Sequence, residues 1–220
     1  MSLNTVIFDM DGLLVDSEPL WNEAATEVFG RYGMALSPAD YALTTGLRTK
    51  EFVQWWFNRH QIDMAHAQQA ETDIVEGVIN RFLQKGKALP GVEYIVDFFA
   101  QQQFKIGVAT SSGMPLVNAV IDSLGIRHRL QAITSAAALP YGKPHPQVYL
   151  DCAQALGVHP TQCLCFEDSF NGMIAAKAAR MKCVVVPAHH DAQLEHWKAA
   201  DLKISSLQNF NGLLLERLNG

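Results

Sequence analysis

Thr5-Val6-Ile7-Phe8-Asp9-Met10-Asp11-Gly12-Leu13-Leu14-Val15-Asp16-Ser17-Glu18 is the stretch on which the reading of this chain turns. Four β-branched or aromatic residues make a short apolar run, the mark of a buried strand. Two acids and a glycine end it abruptly. If the backbone stays extended, Asp9 and Asp11 point to one side and Met10 to the other. Paired carboxylates at a strand end suit metal binding or acid and base work, although Asp and Gly also simply begin turns.

Beyond Ser17 the texture changes. Trp21, Ala24, Ala25, Val28 and Phe29 are spaced for one apolar helix face, and no strand pattern interrupts the segment up to about Lys87. The spacing predicts an inserted helical domain over 17–88. Residues 1–16 and 89–220 then form a core, with hinges at Leu13 to Ser17 and Ala88 to Val92. After Leu89-Pro90-Gly91, helical stretches alternate with short apolar runs at Lys105–Ala109, Gln131–Thr134, Cys163–Phe166 and Cys183–Val186. That alternation predicts an α/β fold, a doubly wound parallel sheet with helices on both faces. Leu202–Ile204 is a further candidate strand and Leu207–Leu218 a closing helix.

Ligands of such sheets bind outside the carboxyl ends of the strands, so the polar residues after each run deserve the closest reading. Thr110-Ser111-Ser112-Gly113 offers hydroxyls and amides ahead of a helix, able to cradle a phosphate or, through Ser112, to cap the helix. Lys143 stands in Tyr141-Gly142-Lys143-Pro144-His145-Pro146, stiffened by two prolines, where a fixed cation can neutralise a nucleophile and a phosphate. Glu167-Asp168-Ser169, followed by Asn171-Gly172, places acids directly after a buried run. A few hard oxygen ligands favour Mg²⁺ over calcium or zinc, while Asp168 or Ser169 could equally cap a helix.

With 17 basic against 22 acidic residues, the net charge of −5 gives no general attraction to nucleic acid. No apolar run reaches the ~18 to 20 residues that span a bilayer, so no membrane association is expected and the cytoplasm is the expected compartment. Cys152, Cys163, Cys165 and Cys183 lack CxxC spacing and read as reduced core thiols. Cys163 and Cys165 read as packing neighbours on one strand face, not zinc ligands.

Asp9-Met10-Asp11-Gly12, Thr110, Lys143 and Glu167-Asp168, in this order and over nearly the whole chain, resemble the haloacid dehalogenase superfamily. The helical insert within Phe8 to Glu18 resembles the family's small mobile cap. It places the likeness in the β-phosphoglucomutase and sugar phosphatase branch, nearest to bacterial phosphatases of hexitol phosphates and 2-deoxyglucose 6-phosphate. The resemblance implies a magnesium-dependent phosphatase with a small phosphorylated metabolite as its partner. Asp9 would be the nucleophile and Asp11 the general acid and then base. Thr110 and Lys143 would hold phosphate, with Ser111, Ser112 and Asn171 as further contacts. Asp168, Asp9 and the Asp11 carbonyl would hold the metal, with Glu167 a ligand or a supporting partner.

Gly46, Leu47 and Arg48 are the specificity candidates of the insert, and Arg48 could meet sugar hydroxyls or a distal anion. Trp21, Trp55 and Trp56 could wall the pocket or pack the helices. A mutase and a silent sugar-phosphate sensor are the alternative activities. The mutases carry a histidine five residues after the hinge aspartate, and here Trp21 follows Asp16 at that distance. A monomer fits the self-contained two-part plan.

Overall fold

The computed structural model describes residues 2–44, 46–189 and 191–220. Its centre is a six-stranded sheet in the order β3-β2-β1-β4-β5-β6, with every neighbouring pair parallel. The strands are β1 (Thr5–Phe8), β2 (Lys105–Thr110), β3 (Ala132–Ser135), β4 (Cys163–Glu167), β5 (Lys182–Val185) and β6 (Leu202–Lys203). The order reverses direction at β1, which leaves a crevice at the carboxyl ends of β1, β2 and β4. Asp9, Thr110 and Glu167 stand at those three ends.

Because side chains alternate along a strand, β1 feeds two cores. Val6 and Phe8 join one, where Phe8, Phe99, Phe166 and Phe210 pack ring against ring with centroids 5.0–6.1 Å apart. Ile7 joins the other, with all four cysteines, which are free and buried. Burial pushes their thiols up, Cys152 and Cys163 to about 12, so they behave as small apolar groups.

Among the described residues four α-helices lie between β1 and the return crossing at Ala88: α1 (Glu18–Gly30), α2 (Pro38–Ala42), α3 (Thr49–His60) and α4 (Ala67–Lys85). Ala70, Ile74, Val78 and Phe82 recur every four residues and form the buried stripe of α4, which lies against α1. The remaining helices are α5 (Val92–Gln101), α6 (Met114–Ser123), α7 (Gln147–Ala155), α8 (Phe170–Ala178) and α9 (Gly212–Asn219).

The two chain crossings between helices and sheet are bonded to each other. Val15 forms an antiparallel bridge with Ala88. Asp16 N–H donates to Lys87 O at 3.0 Å and Leu89 N–H to Leu14 O at 3.1 Å.

Several sequence expectations shift on contact with the structure. β3 and β5 are displaced by one residue from the expected bounds. The Leu207–Leu218 helix is broken in two: a 3-10 turn at Leu207–Asn209 ends, and the Asn211 side chain caps a new helix by accepting from Leu214 N–H at 3.2 Å. The cap of α6 is Gly113, not Ser112, whose hydroxyl is turned elsewhere. Trp21 is only partly buried but packs against the same core as Leu20, Ala24, Ala25, Val28 and Phe29, so it keeps to the apolar face of α1.

Candidate active site

Asp9 follows β1 directly, its N–H donating to Phe166 O at 3.0 Å, so the sheet ladder continues one residue past the strand and fixes the carboxylate at the crevice. The Lys143 ammonium lies 2.5 Å from Asp9 Oδ1 and 2.6 Å from Glu167 Oε1, and donates to Ala109 O at 3.1 Å. The Tyr149 hydroxyl donates to Glu167 Oε1 as well. Lys143 and Glu167 are 2% and 0% exposed at the side chain, so water does not share these bonds. The lysine is held charged, its pKa raised because Asp9 and Glu167 outweigh the cost of burying it.

Glu167 is fully engaged. Its Oε2 accepts from the Ser169 N–H at 3.3 Å and from the Ser169 hydroxyl at 3.1 Å, and it does not reach the pocket wall. It acts on Lys143 from behind. The Ser169 hydroxyl also caps α8, accepting from Gly172 N–H at 3.0 Å.

Asp11 is held by a different set. Its Oδ1 accepts from the Ser17 hydroxyl at 2.7 Å and from the Trp21 indole N–H at 3.0 Å. Its Oδ2 accepts from Ser112 at 2.7 Å and Thr110 at 3.4 Å. Two donors come from the insert side and two from the sheet side, so the carboxylate is clamped between them.

Asp9, Glu167 and Asp168 bring one oxygen each within 4.8 Å of one another. Burial raises the Asp9 carboxyl most; Lys143 pulls it down, Glu167 and Asp11 push it up, and the balance stands at about 8. Asp168 is also raised well above the usual carboxylate range, by burial and then by Asp9 and Glu167. Three carboxylates facing one ammonium hold surplus negative charge, and a divalent cation with hard oxygen preference fits that surplus. Gly12, at φ +74°, permits this packing: a Cβ there would lie 2.0 Å from Asp168 Oδ2.

The pocket is lined by Asp9, Asp11, Trp21, Gly46, Leu47, Thr110, Ser111, Ser112, Lys143 and Asp168 among the sites read from sequence. Asn171 is not on its wall; its Cβ lies near Gly46, where an added Cβ would come within 3.8 Å of it. Arg48 departs from expectation. It is 7% exposed, and its guanidinium faces away from the pocket to Glu51 and to backbone carbonyls of the core. Trp55 is half exposed on α3, and Trp56 is buried and donates to Thr44 at 3.3 Å, so neither walls the site. Sequence reasoning missed Tyr149, which sits in an unremarkable helical stretch, and Ser17, read only as part of a hinge. The insert adds Glu18, Asn22, Tyr41, Thr44, Thr49 and Phe52 to the pocket. No helix among the described residues is long and apolar enough to cross a membrane.

The model of the haloacid dehalogenase-like hydrolases matches residues 6–186. Hexitol phosphatase B of Escherichia coli K12 is 41% identical over 202 residues, 91% of each chain. Fructose-1-phosphate phosphatase YqaB of the same organism is 34% identical over 182 residues, 82% of this chain and 95% of that one. Among solved structures, CbbY from Rhodobacter sphaeroides in complex with phosphate superposes with a TM-score of 0.87 at 26% identity, covering 97% of this chain and 98% of that chain. With the motif residues gathered at the ends of β1, β2 and β4 and the family model spanning both the sheet and the helical insert, this chain is an enzyme that belongs to the haloacid dehalogenase-like hydrolases.

Proposed function

We propose that the enzyme is a magnesium-dependent phosphomonoesterase of small sugar or sugar-alcohol phosphates, hexose and hexitol 6-phosphates and 2-deoxyglucose 6-phosphate among them. The observation that carries this reading is the pair Asp9 and Asp11. One pocket-facing carboxylate is tied to a buried lysine, and a second, two residues on, is clamped by four donors of other elements. Two acids in such unlike surroundings divide the labour of nucleophile and proton carrier.

Asp9 attacks phosphorus and becomes the aspartyl phosphate. Lys143 and the hydroxyls of Thr110 and Ser111 stabilise charge on the phosphoryl oxygens, and Lys143 holds Asp9 in line. Asp11 gives a proton to the departing sugar oxygen and then takes one from the water that cleaves the phospho-enzyme. Asp9, Asp168 and the Asp11 carbonyl would hold Mg²⁺, with Glu167 as the counter-ion of Lys143. Bound there, the metal supplies charge neutralisation between nucleophile and phosphate.

Phosphatases of hexitol phosphates and of fructose 1-phosphate among the relatives support the substrate class. The lining of the pocket speaks for hydrolysis over a mutase. Lys143 is the only cation on its wall among the described residues, while a sugar bisphosphate needs a second anion site. Trp21 replaces the histidine of the mutases with an N–H that neither titrates nor accepts.

Phosphate release from a panel of hexose, hexitol, pentose and nucleotide phosphates, with Mg²⁺ and with EDTA, tests the reading. Hexose and hexitol phosphates are expected to lead, with release lost in EDTA and restored by Mg²⁺. Metal-independent release, or isomerisation of glucose 1-phosphate without release, would overturn it. Trp21→Phe keeps the ring and loses the bond to Asp11. A fall in kcat of roughly 10-fold with KM little changed is expected in steady-state assays.

A further inference from the structure

Arg48 is a nearly buried guanidinium at the boundary between the helical insert and the core. One nitrogen, Nη1, donates to Ala136 O at 3.2 Å and to Leu139 O. The other, Nη2, lies 2.6 Å from Glu51 Oε1 and reaches Pro140 O at 3.4 Å. Three carbonyls of one core loop therefore converge on one side chain of the insert. Glu51 completes the arrangement: its Oε2 accepts from Arg48 N–H at 3.3 Å, and the Gly142 amide acts on the same carboxylate. The two surfaces meet so closely that a Cβ on Gly142 would lie 2.8 Å from Arg48 Nε and 2.9 Å from Glu51 Oε2.

The loop so gripped, Ala136 to Gly142, runs directly into Lys143. At its other end Ala136 N–H donates to Thr110 O at 2.8 Å. The loop thus joins the residue that holds the nucleophile to a residue of the phosphate wall. A guanidinium suits this task better than an ammonium, because its planar fork serves several acceptors at fixed angles and stays charged when buried.

We propose that Arg48, with Glu51, is a positioning residue: it latches the helical insert onto the Ala136–Gly142 loop and thereby sets Lys143 against Asp9 when the pocket is covered. Arg48 touches no reacting atom in this scheme. The inference rests on the phosphatase reading for its kinetic readout, but the contact between insert and core is measurable without turnover.

Arg48→Ala should lower kcat/KM by about 100-fold, the scale of a small misplacement in a preorganised site. The loss should be equal for sugar phosphates and for an aryl phosphate such as p-nitrophenyl phosphate, because the latch acts on the lysine and not on the sugar. Methylguanidinium, which refills the cup of carbonyls, should restore a measurable part of the rate. Gly142→Ala wedges the same contact from the core side, and the double variant should be no worse than Arg48→Ala alone.

Spin labels on Trp55→Cys and Leu213→Cys, both exposed positions in a chain whose native cysteines are buried, give the distance from insert to core. In the Arg48→Ala background that distance should lengthen and broaden. A loss confined to sugar phosphates would make Arg48 a substrate ligand and overturn the proposal. Multiplying losses in the double variant, or an unchanged distance, would overturn it as well. Wild-type protein inert towards every phosphate would instead defeat the phosphatase reading, with the label distances still deciding the latch.

Discussion

Asp9→Asn is expected to abolish phosphate release, by at least ~10⁴-fold in kcat, while leaving the protein folded. The amide keeps the shape of the side chain but cannot attack phosphorus. Loss of the nucleophile normally costs stability only when a buried partner is left alone, and here it is not. Lys143 retains Glu167 at 2.6 Å, together with the carbonyl of Ala109. The substitution also removes one of three crowded carboxylates, the one that burial first, and Glu167 and Asp11 after it, hold at about 8 against the pull of Lys143. Because no buried charge is left uncompensated, urea unfolding without metal should place the variant within ~1 kcal/mol of wild type. Phosphate-release assays on the purified, folded variant decide the matter; turnover at anything near the wild-type rate would exclude the aspartyl phosphate.

Lys143→Met is expected to be inactive too, but for this variant stability should collapse as well. Among the described residues the ammonium is the one cation paired with the carboxylates of Asp9 and Glu167, and it is buried. Breaking a buried pair from one side strands Glu167, the carboxylate that water does not reach, at a cost of about 3–5 kcal/mol. A second change then separates the two roles of the lysine. Glu167→Gln in the Lys143→Met background removes the stranded charge, keeps one carbonyl acceptor for the Ser169 N–H while its NH2 can donate to the Tyr149 hydroxyl, and should recover most of the stability while activity stays absent. Equilibrium unfolding of the single and double variants measures this. A single variant as stable as wild type would mean that the acids take up protons without difficulty and that the lysine has no structural share.

The core of the molecule could be read from the sequence because its strands are buried on both faces. Runs such as Thr5-Val6-Ile7-Phe8 and Cys163-Leu164-Cys165-Phe166 are continuously apolar, and the acids after them stand out as breaks in the pattern. The sheet order then brings Asp9, Thr110 and Glu167 together without any further information. Residues facing the site from helices were harder. Trp21 fits an apolar helical spacing as well as its neighbours do and packs against the same core, and nothing in that spacing shows that its indole N–H reaches Asp11. Tyr149 carries no local mark of its bond to Glu167, eighteen residues away and in another element. Arg48 was misplaced for a physical reason: its partners are main-chain carbonyls some ninety residues on, and a carbonyl leaves no trace in the identity of its residue.

The bonded crossings between insert and sheet bear on how the site can open. Two independent linkers would let the helices swing in any direction. Val15 paired with Ala88, Asp16 with Lys87 and Leu14 with Leu89 make a single narrow ribbon instead. Two hydrogen-bonded chains constrain each other, so any motion of the helices against the sheet would have to twist the two crossings together, like a torsion bar. Asp11 is bridged to Val15 within the same ribbon, and Ser17 at its end donates to the Asp11 carboxylate. A twist of this ribbon would therefore be felt at the acid, because it would move Ser17 against the Asp11 carboxylate and slacken one side of its clamp.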